Sequence, residues 1–164
     1  MRKRALFAAL FSVIVMAQAA QSEPVSYKEL MPLLAVKLPG WEAGEPTGQT
    51  VKSPVEASEA SIEYTKGELI LEVTIFDGGP AMGAAMSATA QVEMESPGEV
   101  VKPATVGGFK GSLYLHTKDN EAELVLMVPP RFAVSLQLRG SADEAVLKQA
   151  ASQLDLAKLS SLAK

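Results

Sequence analysis

The residues best suited to acid–base chemistry fall in one predicted hairpin. The chain contains a single histidine, His116, in an alternating segment that precedes Asp119 and Asn120. If those two residues form a tight turn, His116 lies opposite Glu123 on the returning strand. A histidine beside a carboxylate could act as the general base of a weak hydrolase or isomerase. No recognisable nucleophile motif accompanies the pair, so we favour a solvent-facing cross-strand contact and assign no catalytic residue.

Two methionines suggest a different chemistry, the handling of copper. Met82 and Met86 are four residues apart and share one face of a helix predicted over residues 81–94, with Met94 further along it. Thioethers can bind Cu(I). The sequence lacks the histidines and Met-x-Met repeats that usually complete such sites. We therefore interpret the methionines as flexible core residues and assign no metal and no cofactor.

The segment Asp77-Gly78-Gly79 precedes this helix and could place an anion at its N-terminus. No Gly-Lys-Ser/Thr motif follows, which excludes a phosphate-binding P-loop. A turn from strand to helix, with Asp77 as a cap, explains the same residues.

Composition excludes several other classes of site and partner. The 164 residues include no cysteine, which rules out disulfides, thiolate zinc sites and iron–sulfur clusters. There are 15 Lys and Arg against 19 Asp and Glu, for a net charge of −4, and no basic cluster follows residue 4. Nucleic acid is therefore not an expected partner, since its binding needs clustered positive charge.

The N-terminus predicts an export signal over residues 1–19. Three basic residues precede an apolar stretch over 5–17, and Ala17-Gln18-Ala19 is typical of a signal peptidase site, with cleavage after Ala19 or Ala20. The apolar stretch is shorter than the ~20 residues of a membrane-spanning helix, although an uncleaved anchor is the alternative. The prediction is a periplasmic or secreted domain over 20–164, with no integral membrane segment after cleavage.

Alternating apolar residues predict two blocks of antiparallel hairpins. In the first block a Lys66-Gly67 turn would bring Tyr64 opposite Leu69 and place the main apolar stripe of both strands on one face. In the last strand of the second block, the alternation predicts that Arg131 points outward.

Capping boxes predict two helices that flank the blocks. Ser26 to Glu29 would open the first helix and Ser141 to Glu144 the last one. The order helix, strands, helix, strands, helix predicts a single α+β domain with an antiparallel sheet. Trp41 is the expected anchor of the irregular segment that leads into the sheet.

Short motifs along the chain resemble those of a group of exported bacterial proteins with a PsbP-like or LpqN-like α/β/α sandwich. The motifs are Leu38-Pro39-Gly40-Trp41, Tyr64-Thr65-Lys66-Gly67, Ala81-Met82-Gly83-Ala84-Ala85-Met86, Gly107-Gly108-Phe109-Lys110-Gly111, Arg131-Phe132-Ala133-Val134 and Leu154-Asp155-Leu156-Ala157-Lys158-Leu159. The resemblance implies a curved antiparallel sheet with helices on both faces and a binding or assembly role. It carries no catalytic residue to this chain.

These observations together predict a soluble periplasmic protein that is not an enzyme. Its expected role is that of a binding or accessory protein whose partner is another protein or a small molecule. The sequence does not identify that ligand.

Overall fold

The computed structural model describes residues 23–80, 83–85 and 92–163. The predicted signal peptide lies outside them. In chain order the elements are α1 (Tyr27–Leu34), β1 (Glu42–Ala43), β2 (Thr47–Val51), β3 (Ala57–Lys66), β4 (Leu69–Asp77), β5 (Met94–Ser96), β6 (Glu99–Val106), β7 (Phe109–His116), β8 (Glu121–Val128), β9 (Phe132–Arg139), α2 (Glu144–Ser152) and α3 (Leu156–Ser161).

The nine strands form one open antiparallel sheet. Its order is β1-β3-β4-β9-β8-β7-β6-β5, and β2 also pairs with β3, beyond β1 along the same edge. The two hairpin blocks join where β4 pairs with β9. The structure therefore confirms the predicted α+β class and the antiparallel sheet. Within the described residues, no helix is long and apolar enough to cross a membrane.

The main core lies between one face of this sheet and the three labelled helices. The helices contribute buried leucines from α1, α2 and α3 to a single apolar cluster with the strands. The strand residues of this cluster alternate along the sequence, as the apolar pattern predicts. They include Ile62, Tyr64, Leu71, Val73, Leu124, Leu126, Val134, Leu136 and Leu138. The implied placement of helices on both faces of the sheet stays a prediction.

The first hairpin differs from its predicted register by two residues. Lys66 pairs with Leu69, so the turn is formed by Gly67 and Glu68, and Tyr64 lies opposite Leu71 rather than Leu69. Gly67 has a φ of +61°, a conformation that glycine adopts readily. Because side chains alternate with a period of two, a shift of two residues leaves every apolar residue on its predicted face.

The helix predicted over 81–94 is wrong at its C-terminal end. Met94 belongs to β5 and pairs with Val101 of β6, so it shares no helix face with the other methionines. Helical backbone is present at 79–80 and 83–85. The rest of the predicted helix, at 81–82 and 86–91, lies outside the described residues.

One of the two predicted helix caps is confirmed and the other is displaced by two residues. The N-cap of α2 is Asp143, whose carboxylate accepts from the backbone N–H of Ala145 at 2.8 Å, while the Ser141 hydroxyl accepts from the N–H of Asp143 at 3.2 Å. Asp155 caps α3, a helix that the sequence analysis did not predict. Ser26 caps α1 as predicted.

A buried ion pair lies at one end of the sheet, between the last residue of β4 and the residue before β9. Arg131 Nε lies 2.8 Å from Asp77 Oδ1, and the two side chains are 2% and 0% exposed. Asp77 Oδ2 also accepts from the N–H of Val25 at 2.7 Å, and Arg131 donates to the Glu23 carbonyl at 2.9 Å. The pair therefore joins the end of β4, the β8–β9 turn and the segment that leads into α1.

One prediction is corrected by this ion pair, and one alternative is excluded. Arg131 does not point outward, because it lies in the turn before β9, where the alternation of the strand has not yet begun. The Asp77 segment forms the expected turn from strand to helix, in which the Asp77 carboxylate accepts from Gly79 N–H at 3.0 Å, so the alternative of an open anion site is excluded. Asp77 is in phase with the buried residues of β4, so it needed a buried cationic partner.

We expect Arg131→Met to lower the free energy of unfolding by about 3–5 kcal/mol, since it leaves the Asp77 carboxylate buried without its cation. Urea denaturation at neutral pH measures this loss. The matched control is Arg139→Met, which breaks an ion pair with Glu72 whose side chains are 42% and 38% exposed. That change should cost less than about 1 kcal/mol. Equal losses in the two variants would contradict the structural role given to Arg131.

Candidate functional site

The structure does not pair His116 with Glu123. The β7–β8 connection is a four-residue turn over 117–120, so His116 lies opposite Glu121 and the predicted register is wrong by two residues. Glu123 instead accepts a hydrogen bond from the Ser135 hydroxyl at 2.8 Å. His116 is half-buried on the sheet face opposite the three labelled helices. The cross-strand contact expected between His116 and Glu123 is therefore not formed, and neither is the general-base pair that was its alternative.

Met82 and Met86, the candidate ligands of the copper alternative, lie outside the described residues. Elsewhere in the described chain, no group of three or more His, Cys, Asp or Glu side chains could hold a metal ion. The described residues also form an apolar groove beside Trp41.

Two hydrogen bonds hold the N-terminal end of α1 in place. Val25 N–H is bound by Asp77, and Tyr27 N–H donates to the Thr50 hydroxyl oxygen at 3.1 Å. Thr50 is itself hydrogen-bonded to the hydroxyl of Ser58, 2.7 Å away on β3. These contacts fix where the helix enters the fold.

Tyr64 fixes the opposite end of α1. Its hydroxyl donates to the Leu34 carbonyl at 2.6 Å, lies 3.0 Å from the Val36 carbonyl and accepts from Val36 N–H at 3.2 Å. The side chain is 1% exposed. Burial raises the pKa of the Tyr64 phenol, and the hydrogen bond with the Val36 backbone lowers it in part. A neutral phenol thus holds the segment that follows the helix against the sheet.

This tethered segment forms one side of an apolar groove. The groove has a volume of about 420 Å³, within the range of about 300–1,000 Å³ found for small-molecule sites. Its buried lining residues come from β3 and from the segment after α1, and its half-buried ones include the only tryptophan of the chain. The buried residues are Leu38, Ile62 and Tyr64, and the half-buried ones are Val36, Trp41 and Pro46.

A second, smaller cavity adjoins the groove at Trp41. It has a volume of about 180 Å³ and shares Leu38, Pro39 and Trp41 with the groove. Lys66 lines this cavity, with its ammonium nitrogen 6.0 Å from the centroid of the Trp41 ring. The indole therefore stands between two cavities, with a cation beside it.

The sequence pattern predicts Trp41 only as an anchor and does not predict this groove. A usable signal was present in Tyr64, because a tyrosine on the core face of a strand needs a buried hydrogen-bond partner. That partner is the C-terminal end of α1. The groove itself forms between segments that are distant along the chain, and the alternation of apolar residues carries no information about it.

We expect Tyr64→Phe to lower the free energy of unfolding by about 1–3 kcal/mol at neutral pH, because the buried Leu34 and Val36 backbone groups lose their partner. The raised pKa in the folded state means that this contribution is present below the unfolded pKa of about 10 and is lost as the pH rises through the folded value. The gap between the wild type and Tyr64→Phe should therefore narrow above pH ~10.

Chemical denaturation from neutral to alkaline pH measures that gap. Tyr114→Phe is the matched control, since Tyr114 is half-buried on the other face of the sheet. Its effect should stay within about 0.5 kcal/mol. A gap for Tyr64→Phe that does not change with pH would contradict the role of its phenol.

Comparison of the chain with models of protein families, with curated proteins and with solved structures gives no match. The resemblance to the PsbP-like and LpqN-like group therefore stays a prediction.

Proposed function

We propose that this chain is an exported, non-catalytic binding protein that takes an alkyl chain into the groove beside Trp41. The observation that carries the proposal is the groove itself, an apolar cavity of about 420 Å³ with an aromatic side chain in its wall. Small-molecule sites are typically concave, largely apolar and formed before the ligand arrives.

The contacts around α1 support a groove that exists before binding. Asp77 and Thr50 hold one end of the helix, and Tyr64 holds the other end and the segment that lines the groove. A site held in this way loses little conformational freedom when it binds a ligand. Apolar burial then supplies the driving force.

The lining of the groove supports binding rather than catalysis. The one titratable side chain in its buried part is Tyr64, whose hydroxyl is already engaged by the backbone at Leu34 and Val36. His116 does not belong to the lining, and Glu123 is engaged by Ser135. The weak hydrolase or isomerase and the methionine-based copper protein are therefore the less favoured alternatives.

Export rests on the predicted signal peptide over 1–19. A periplasmic or secreted protein that binds an apolar chain agrees with the absence of cysteine from the whole sequence. We further propose the α/β/α sandwich of the PsbP-like group as the complete architecture, with a helix on the second face of the sheet. The open antiparallel sheet and the half-buried Ile70 and Phe76 on that face support this proposal.

The proposal predicts saturable binding of neutral 1-alkanols, which can be followed through the emission of Trp41, the only tryptophan. Each added methylene between 1-octanol and 1-decanol should lower the Kd about fourfold, since a buried methylene is worth about 0.8 kcal/mol. A Kd that does not depend on chain length, or emission that does not saturate, would contradict the proposal.

A matched pair of valine variants localises the binding. Val36→Gln places a polar chain in the lining and should raise the Kd for 1-decanol about tenfold, the equivalent of about 1.4 kcal/mol. Val55→Gln changes a valine that is 68% exposed and lies outside the lining, and it should leave the Kd unchanged. Equal effects in both variants would place the binding site elsewhere.

A further inference from the structure

We infer that the alkyl chain bound beside Trp41 ends in a carboxylate, which Lys66 holds at the boundary between the two cavities. This inference rests on the proposed function, because it specifies the head group of the ligand of that same groove. It would make the protein a carrier or sensor of free long-chain carboxylates.

The charged side chains that line the two cavities are both lysines. The chain is acidic, with 19 Asp and Glu against 15 Lys and Arg. Among the described residues, neither the groove nor the smaller cavity is lined by Asp or Glu, whereas Lys37 lines the groove and Lys66 lines the smaller cavity. Carboxylates adjacent along the chain, such as Glu42 and Glu45, do not belong to either lining. The site is therefore complementary to an anion in an otherwise acidic protein.

Lys66 lies beside Trp41, whose indole lines both cavities. Its ammonium nitrogen is 6.0 Å from the centroid of the Trp41 ring, and the side chain is exposed, so a ligand can reach the charge from solvent. No carboxylate of the described residues lies within 4.0 Å of the Lys66 ammonium group, which leaves it available to a ligand.

The two cavities differ in the part of the ligand that each suits. The groove offers about 420 Å³ with apolar side chains along its buried lining, which suits the chain. The smaller cavity of about 180 Å³ adds Lys66 and the amides of Gln149 and Gln153, which suits a polar head. Trp41 lines both, so a ligand whose chain lies against one side of the indole can present its head to the other.

A free alkyl carboxylate matches this arrangement better than a neutral or cationic amphiphile. A carboxylate can accept from the Lys66 ammonium group and from the glutamine side-chain amides together, whereas a hydroxyl carries no charge to pair. An ammonium head would face Lys66 with no carboxylate in the lining to offset the repulsion. The proposed ligand is therefore a single long alkyl chain with one terminal carboxylate.

The test compares three probes of equal chain length, namely decanoate, 1-decanol and decyltrimethylammonium, each below its micellar concentration. The readouts are Trp41 emission and calorimetry on the full chain after export. At low salt, decanoate should bind about fivefold more tightly than 1-decanol, and decyltrimethylammonium about fivefold more weakly, as expected for a partly exposed charge contact. Sodium chloride at ~0.5 M should largely remove both differences.

Lysine variants locate the head group. Lys66→Gln should remove the preference for decanoate over 1-decanol. Lys110→Gln is the matched control, because it makes the same change of net charge at an exposed residue of β7. That variant should keep the full preference. Loss of the preference in Lys37→Gln but not in Lys66→Gln would overturn the assignment to Lys66.

The outcomes separate this inference from the proposed function. Binding of 1-decanol with equal affinity for decanoate overturns the carboxylate assignment and leaves the alkyl groove in place. Tighter binding of a short apolar peptide with a free C-terminus than of decanoate would also overturn it, in favour of a protein partner. Failure of all three probes to bind would overturn both proposals.

Discussion

The buried contact between Asp77 and Arg131 is the constraint on which the placement of the other parts depends. An ion pair away from water is stable only if the remaining polar atoms of both groups are also bonded. Here those atoms are used by the backbone, since the carboxylate binds Val25 N–H and Gly79 N–H and the guanidinium binds the Glu23 carbonyl. Satisfying two charges thus ties three distant parts of the chain to one point, at the end where β4 and β9 join the two hairpin blocks.

From that point the positions of the functional parts follow in order along α1. The ion pair sets where the chain enters the helix, and Tyr64 sets where it leaves, because the hydroxyl of a buried tyrosine must find a partner. The segment beyond the helix then runs over Ile62 and Tyr64 toward Trp41 and leaves a groove that no side chain fills.

Much of the fold could be predicted from the sequence, because side-chain alternation reports directly on burial. Both hairpins were placed on the correct segments, and their apolar residues face the core. Both registers were nevertheless wrong by two residues, at Tyr64 and at His116. A displacement of two residues keeps every side chain on its face, so the pattern cannot detect it. The register depends on how many residues the turn contains, and the dipeptides at the turns did not reveal that number.

The sequence by itself determined the α+β class, the antiparallel strands and the faces of the strands that are buried. It also identified Ser26 as a helix cap, and it predicted Trp41 as an anchor. These properties are local, because each follows from the alternation or capping preference of neighbouring residues. Only the tertiary structure decided that Arg131 turns inward to Asp77, that Tyr64 binds the end of α1, and that Lys66 lies over Trp41. Each of these contacts joins residues separated by 25 or more positions along the chain. Their formation depends on how the strands assemble into the sheet, and that arrangement is not recorded in any short stretch of sequence.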